Sequence, residues 1–162
     1  MYKLLLTLIL LLAGISPLHA AEYTGSVSWI YDGDTLRVDG VGKVRLLGID
    51  TPESENSPRD TFYQKKFGIG AKRLRAVARH AKKYNIKNVK GLRIRLITDR
   101  EKRDKYGRLL AYLYLPDGRL LNRILLERGM ASVFRRYRFS HKDDFLAAEK
   151  KAHDAGIGLW QQ

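Results

Sequence analysis

Three short segments of this chain carry side chains that folding alone does not ask for. Asp32-Gly33-Asp34-Thr35 sets two carboxylates about a glycine. Arg45-Leu46-Leu47-Gly48-Ile49-Asp50-Thr51-Pro52-Glu53 embeds an arginine in an apolar run and gathers oxygen donors where that run ends. Asp104-Lys105-Tyr106-Gly107-Arg108 places charge and an aromatic ring beside a second glycine. Taken singly, each has a plain structural reading: a hairpin turn, a strand whose Arg45 pairs internally with Asp34 or Asp50, and a tight turn between strands. Taken together they carry chemistry. An arginine in an apolar strand is costly unless its charge meets an anion. Carboxylate and carbonyl oxygens at Asp50, Thr51 and Glu53, with no Cys or His to compete for softer metals, suit a hard cation such as Ca²⁺ or Mg²⁺. Asp34, Asp50 and Glu53 would repel one another unless a cation sat between them. Arg45 and Arg108 can each grip phosphate oxygens bidentately. A metal, a spare carboxylate and two arginines are what hydrolysis of a phosphodiester requires. The metal and arginines take up the charge of the five-coordinate transition state, and the carboxylate takes a proton from water.

The elements that must position these groups follow from periodicity. Ser26 to Tyr31 alternates, with Val27, Trp29 and Tyr31 on one face; the Asp-Gly turn and Thr35 to Val38 make it a hairpin. Gly40-Val41-Gly42 turns the chain into a strand over Val44 to Ile49, ended by Pro52, and Thr51 to Asp60 reads as a loop. Gly70 to Lys83 reads as a helix with Leu74, Val77, Ala78 and Ala81 as its apolar stripe. Tyr84 to Gly91 reads as a basic connecting loop. Leu92 to Thr98 is a strand, Asp99 to Arg108 a charged loop, and Leu109 to Leu115 another strand. Leu120 to Arg128 is a short helix stopped by Gly129. A last helix is capped by Ser140 with Asp143, turns Phe145, Ala148, Ala152 and Ala155 inward, and is followed by Trp160 packing the tail. Strands, a helix, strands and two helices make an α+β domain with five strands and three helices, of the OB-type barrel class.

Composition sets the surroundings. Lys3, the apolar run Leu4 to Leu12, the breakers Gly14 and Pro17, and the small residues Ala20 and Ala21 form a three-part secretory signal, predicted over residues 1–20, with one domain over 21–162. Export is the expectation, with retention of the signal as a membrane anchor as its alternative; the run is too short to span a bilayer comfortably. The chain has no cysteine, so an exported domain must rely on packing. Its 31 Lys and Arg against 17 Asp and Glu give a net charge of +14, and Lys72 to Arg108 holds fifteen of the basic residues against three acids. Such a field draws polyanions. His80, His141 and His153 show no metal spacing and read as surface residues.

The three segments, in this order, resemble the signature of the staphylococcal nuclease family. The likeness runs from about Gly25 to Trp160 and includes the Leu-Ala-Tyr-Leu-Tyr run ending at Tyr114 and the closing Gly158-Leu159-Trp160. The resemblance implies an OB-fold barrel with three helices and one Ca²⁺ held by Asp34, Asp50 and the Thr51 carbonyl. It implies Glu53 as general base or water-orienting group, Arg45 and Arg108 on the scissile phosphate, and Lys105, Tyr106 and Tyr137 lining the nucleotide pocket. DNA and RNA would be cut at the phosphorus to 5′-oxygen bond, leaving 3′-phosphates, by a monomer with no stable protein partner. Two departures stand out: Tyr84 to Gly91 is longer than the family's usual connection, and Arg135 stands where a pocket tyrosine is expected, offering a guanidinium to base and phosphate instead. A non-catalytic nucleic-acid-binding domain of the same fold would have lost one of Asp34, Arg45, Asp50, Glu53 or Arg108; all five are present. A cationic binder of membrane surfaces or polysaccharide accounts for the charge and leaves the acids unexplained.

Overall fold

A computed structural model of the chain describes residues 20–161; the predicted signal segment lies, but for Ala20, outside the described residues. Five strands close a barrel: β1 (Glu22–Ile30), β2 (Thr35–Val38), β3 (Gly42–Leu46), β5 (Arg93–Arg103) and β6 (Leu109–Tyr114), in the order β1-β2-β3-β6-β5. All neighbours are antiparallel except β3 and β6, which run parallel with Val44 opposite Leu109 and Leu46 opposite Ala111. Alternation sends Leu36, Val38, Val44, Leu46, Leu96, Leu109 and Leu113 into the interior, each essentially excluded from solvent. Each such side chain stabilises the fold by about 1.5–3 kcal/mol relative to exposure. A two-residue strand β4 (Ile49–Asp50) leaves the barrel after Gly48, whose φ of 79° makes the bend, and pairs with β7 (Ser132–Val133).

The helices number four α-helices and a closing 3₁₀ turn among the described residues, against the three expected. The extra helix is α1 (Pro58–Phe67), within and beyond the stretch read as loop. Ser57 and Asp60 form a reciprocal capping box around it, and Pro58 at its first turn needs no N–H partner. The second helix, α2, spans Ala71–Asn88 rather than stopping at Lys83. Its continuation is explained by Asn85, fully buried, whose amide donates to the Gly33 carbonyl at 2.8 Å. The stretch read as a long basic loop is therefore mostly helix. The short helix α3 (Leu121–Glu127) plugs the barrel with Leu121 and Leu125.

The last helix, α4 (Lys142–Asp154), starts at His141 without a side-chain cap; Ser140 instead donates its N–H to the Asp99 carboxylate at 2.7 Å. Phe145, Ala148 and Ala152 face inward as read, whereas Ala155 lies past the helix and is exposed. Trp160 packs edge-on against Phe67, tying the tail to α1. One further difference concerns β1. A bulge between Val27 and Trp29 breaks the alternation, so Val27 and Ile30 are buried while Trp29 is 53% exposed. No helix among the described residues is long and apolar enough to cross a membrane.

Candidate active site

The Asp-Gly turn is built before any chemistry is added. The Asp32 carboxylate accepts the N–H groups of Asp34 at 2.9 Å and Thr35 at 2.7 Å, an Asx turn that fixes where Asp34 points. Gly33 is pressed between Ala81 of α2 and Thr51; a Cβ there would lie 2.8 Å from both, so only glycine fits. The β2–β3 register then sets Thr35 opposite Arg45.

Arg45 and two carboxylates form the centre. Asp34 is 5% exposed; one oxygen accepts the Thr51 N–H at 2.7 Å and its hydroxyl at 2.9 Å, while the other meets Arg45 Nη1 and accepts the Thr35 hydroxyl at 3.2 Å. Arg45 Nη2 donates to Asp50 at 3.1 Å. The repulsion expected between the acids is thus met by a guanidinium shared between them. Burial lowers the Arg45 pKa, opposed by the charges of Asp50 and Asp32; starting from arginine's value the group stays charged.

Asp50 has partners that periodicity did not reveal. Its second oxygen accepts Arg59 Nε at 3.1 Å and Nη2 at 2.6 Å. The Tyr63 hydroxyl, fully buried, lies 3.0 Å from the Asp50 carbonyl, 3.1 Å from its carboxylate and 3.1 Å from Ser132 Oγ. Burial and the neighbouring Asp50 charge push the Tyr63 phenol well above its ordinary pKa, so it remains a donor. Both residues belong to α1. The signal that would have found them is the Ser57-Pro58-Arg59-Asp60 run, a helix start written with Asp in place of the commoner Glu. Asn85 has no such signal: a polar residue in a stretch that reads as a basic loop looks solvent-facing until the turn it holds is seen.

The second arginine comes from the β5–β6 turn. Asp104 accepts Arg108 Nε at 2.7 Å and the backbone N–H groups of Tyr106 and Arg108, which folds the turn and aims Arg108 Nη1 to 3.5 Å from the Thr35 hydroxyl. Arg45 and Arg108 are therefore neighbours across Thr35, close enough that Arg108 disfavours the charge on Arg45. Two like charges held together make a place for an anion. Beside them opens a cleft of about 570 Å³ lined by Arg45, Lys105, Tyr106, Arg108 and Tyr137, with Phe134 and Phe139 behind. Tyr106 and Tyr137 are 71% and 61% exposed, flat faces available to a ligand. Glu53 is exposed beyond the end of β4; partial desolvation, then the charges of Asp32 and Asp50, raise its pKa above that of an ordinary glutamate.

The structure thus brings Arg45, Arg108, Lys105, Tyr106 and Tyr137 to one cleft, with Asp34, Asp50 and Thr51 directly behind Arg45. It does not bring Arg135 there. That guanidinium is ion-paired to Glu149 of α4 and donates to the Val133 carbonyl at 3.1 Å. Glu149 is itself 4% exposed and also accepts the Val133 N–H at 2.8 Å, so Arg135 answers a buried carboxylate. Among the described residues, no three His, Cys, Asp or Glu side chains stand close enough together to hold a metal by themselves. A cation here would rest on two carboxylates and neutral oxygens.

Residues 43–162 match the sequence family described as staphylococcal nuclease homologue. The chain is 37% identical over 150 residues to an uncharacterized protein of Methanocaldococcus jannaschii, covering 86% of this chain and 72% of that one. It is 32% identical over 146 residues to the thermonuclease of Staphylococcus intermedius, covering 84% and 75%. Against the endonuclease YncB of Bacillus subtilis it is 34% identical over 137 residues, covering 81% of this chain and 58% of the relative.

Proposed function

The chain belongs to the staphylococcal nuclease family, and from that premise we propose that it is an exported, Ca²⁺-dependent nuclease that hydrolyses phosphodiester bonds within DNA and RNA. The observation that carries this reading is the meeting of Arg45 and Arg108 at Thr35, with two buried carboxylates on one side and an aromatic-lined cleft on the other.

The donor set fits a hard cation. Asp34 and Asp50 reach the same guanidinium, so their oxygens already converge, and every candidate donor is oxygen. Asp34, Asp50 and the Thr51 carbonyl would hold the Ca²⁺, which when bound neutralises charge on the attacked phosphate. Arg45 and Arg108 grip the scissile phosphate and stabilise its extra negative charge as water adds. Glu53 takes the proton from that water; partial desolvation and the charges of Asp32 and Asp50 raise its pKa, which makes it a better base than an ordinary glutamate. The phosphorus to 5′-oxygen bond breaks, the leaving oxygen takes a proton from solvent water, and a 3′-phosphate remains. Lys105, Tyr106 and Tyr137 orient the adjoining nucleotide in the cleft. Export is supported by the signal-like first twenty residues.

Asp34 provides the test. Asp34→Asn removes the charge of a ligand while keeping the side chain's size and a hydrogen-bonding oxygen, so the variant should stay folded while its calorimetric Ca²⁺ affinity in the presence of a mononucleotide falls at least tenfold. Unaltered affinity would end the assignment of Asp34 as a ligand.

A further inference from the structure

The bulge in β1 exposes an indole on the outer wall of the barrel, next to cations that are answered by no acid. Pairing places Arg37 opposite both Trp29 of β1 and Lys43 of β3, and Thr35 opposite Arg45. Paired residues share a face, so these side chains stand on one outer surface. Along β3, Lys43 is two residues from Arg45, about 7 Å, and the crossing to Trp29 adds about 5 Å per strand. Lys43 Nζ lies 4.4 Å from the Tyr31 ring and Lys90 Nζ 5.1 Å from the Trp29 ring, so both rings carry a cation. Among the described residues Arg37, Lys43 and Lys90 are in no ion pair, whereas Arg95 on the same barrel wall pairs with Glu22. The nearest acid along β2 is Asp39, exposed at the turn beyond Arg37.

This surface leads away from Arg45 on the side opposite the cleft. The cleft lies toward β6 and β5, and the cationic face lies toward β2 and β1. Trp29 is too exposed to be a core residue and is not needed to close the barrel. Flat rings flanked by unanswered cations suit a strand of stacked bases on a phosphate backbone, the combination by which barrel proteins hold single strands. We infer that Trp29, Tyr31, Arg37, Lys43 and Lys90 form an extended subsite for single-stranded nucleic acid, engaging the nucleotides on the far side of the scissile phosphate from the Tyr106–Tyr137 cleft. The inference rests on the nuclease reading and names which part of the substrate the barrel wall holds.

Binding without turnover tests it, using the full folded protein in chelator with fluorescent oligothymidylates. Trp29→Ala should weaken a 12-nucleotide strand by about 5- to 100-fold and a mononucleotide by much less. Arg37→Gln with Lys43→Gln should lower the slope of log affinity against log salt by roughly 0.7 per charge removed. The chain's two tryptophans report separately, since Trp160 is buried: a 12-mer should quench intrinsic emission, and Trp29→Phe should abolish the quench. Equal affinities for wild type and Trp29→Ala, with no quench, would overturn the subsite while leaving the nuclease reading intact if the protein still cuts DNA. Quenching by phosphatidylglycerol vesicles but not by the 12-mer would overturn it in favour of a lipid surface. Failure of the wild type both to bind and to cut nucleic acid would overturn both proposals together.

Discussion

Arg45 has Asp34 and Asp50 on one side and Arg108 across Thr35 on the other, so removing any of these charges changes what the remaining ones face. That arrangement separates chemistry from binding. Arg108→Ala and Glu53→Gln should each lower turnover by about 10²-fold or more. Affinity for a long single strand should move far less, because many other cations share it. Single-turnover rates and filter binding on the same variants check this, and wild-type turnover by Glu53→Gln would end its assignment as base. Arg135 leads to the opposite expectation. Its partner is the buried Glu149, so Arg135→Tyr should cost about 1–3 kcal/mol of stability, toward the lower end because the guanidinium is partly exposed. The salt dependence of oligonucleotide binding should not change. Denaturation midpoints and salt titrations on the two proteins decide between a structural ion pair and a substrate contact.

Helix α1 connects these residues to the backbone that carries them. Its capping box orders the chain after Pro52, and through Arg59 and Tyr63 it braces Asp50 from the side away from Arg45. Ser57→Ala should lower stability by about 1 kcal/mol, the usual cost of a lost cap, read by equilibrium denaturation. A stability loss above about 3 kcal/mol would mean that α1 supports more than its own first turn. Asp99 plays a comparable part for α4. Although desolvation opposes it, hydrogen bonds from Ser140 and Tyr112 hold its pKa below the usual carboxylate value. The stabilisation is therefore present above the unfolded pKa, near 3.9, and is lost as pH falls through the lower folded value. Asp99→Asn should cost at most about 1 kcal/mol at pH 7, since solvent screens this partly exposed carboxylate, and flatten the acid limb of stability below about pH 4. These elements also show where sequence reading stopped. Apolar runs and alternation located the barrel strands, except that β5 continues through Asp99 to Arg103, a charged stretch that reads as loop because its side chains are mostly exposed; the motif segments stood out by residues that folding did not need. Helix α1 was hidden because Ser, Pro and Asp serve loops and helix starts alike. The bulge at Trp29 could not be read, since one extra residue reverses every inside and outside assignment after it.

In the whole molecule, closure of the barrel depends on the parallel pairing of β3 with β6, two strands far apart in the chain that no local pattern links. That pairing is also what brings Arg108, just before β6, within reach of Arg45 on β3. The active groups were therefore legible as types and order, while their meeting at Thr35 was legible only in three dimensions. The net charge of +14 surrounds this centre with a field that favours any polyanion and does not by itself distinguish a nuclease from a binder. The distinction lies in hydrolysis. Purified protein lacking residues 1–20 should be incubated with denatured DNA in excess chelator and then with Ca²⁺ restored, followed by analysis of product ends. The account predicts no cleavage in chelator, rapid cleavage with Ca²⁺, and fragments bearing 3′-phosphates. Cleavage undiminished by chelator, or tight binding of DNA with no cleavage at any Ca²⁺ concentration, would contradict it.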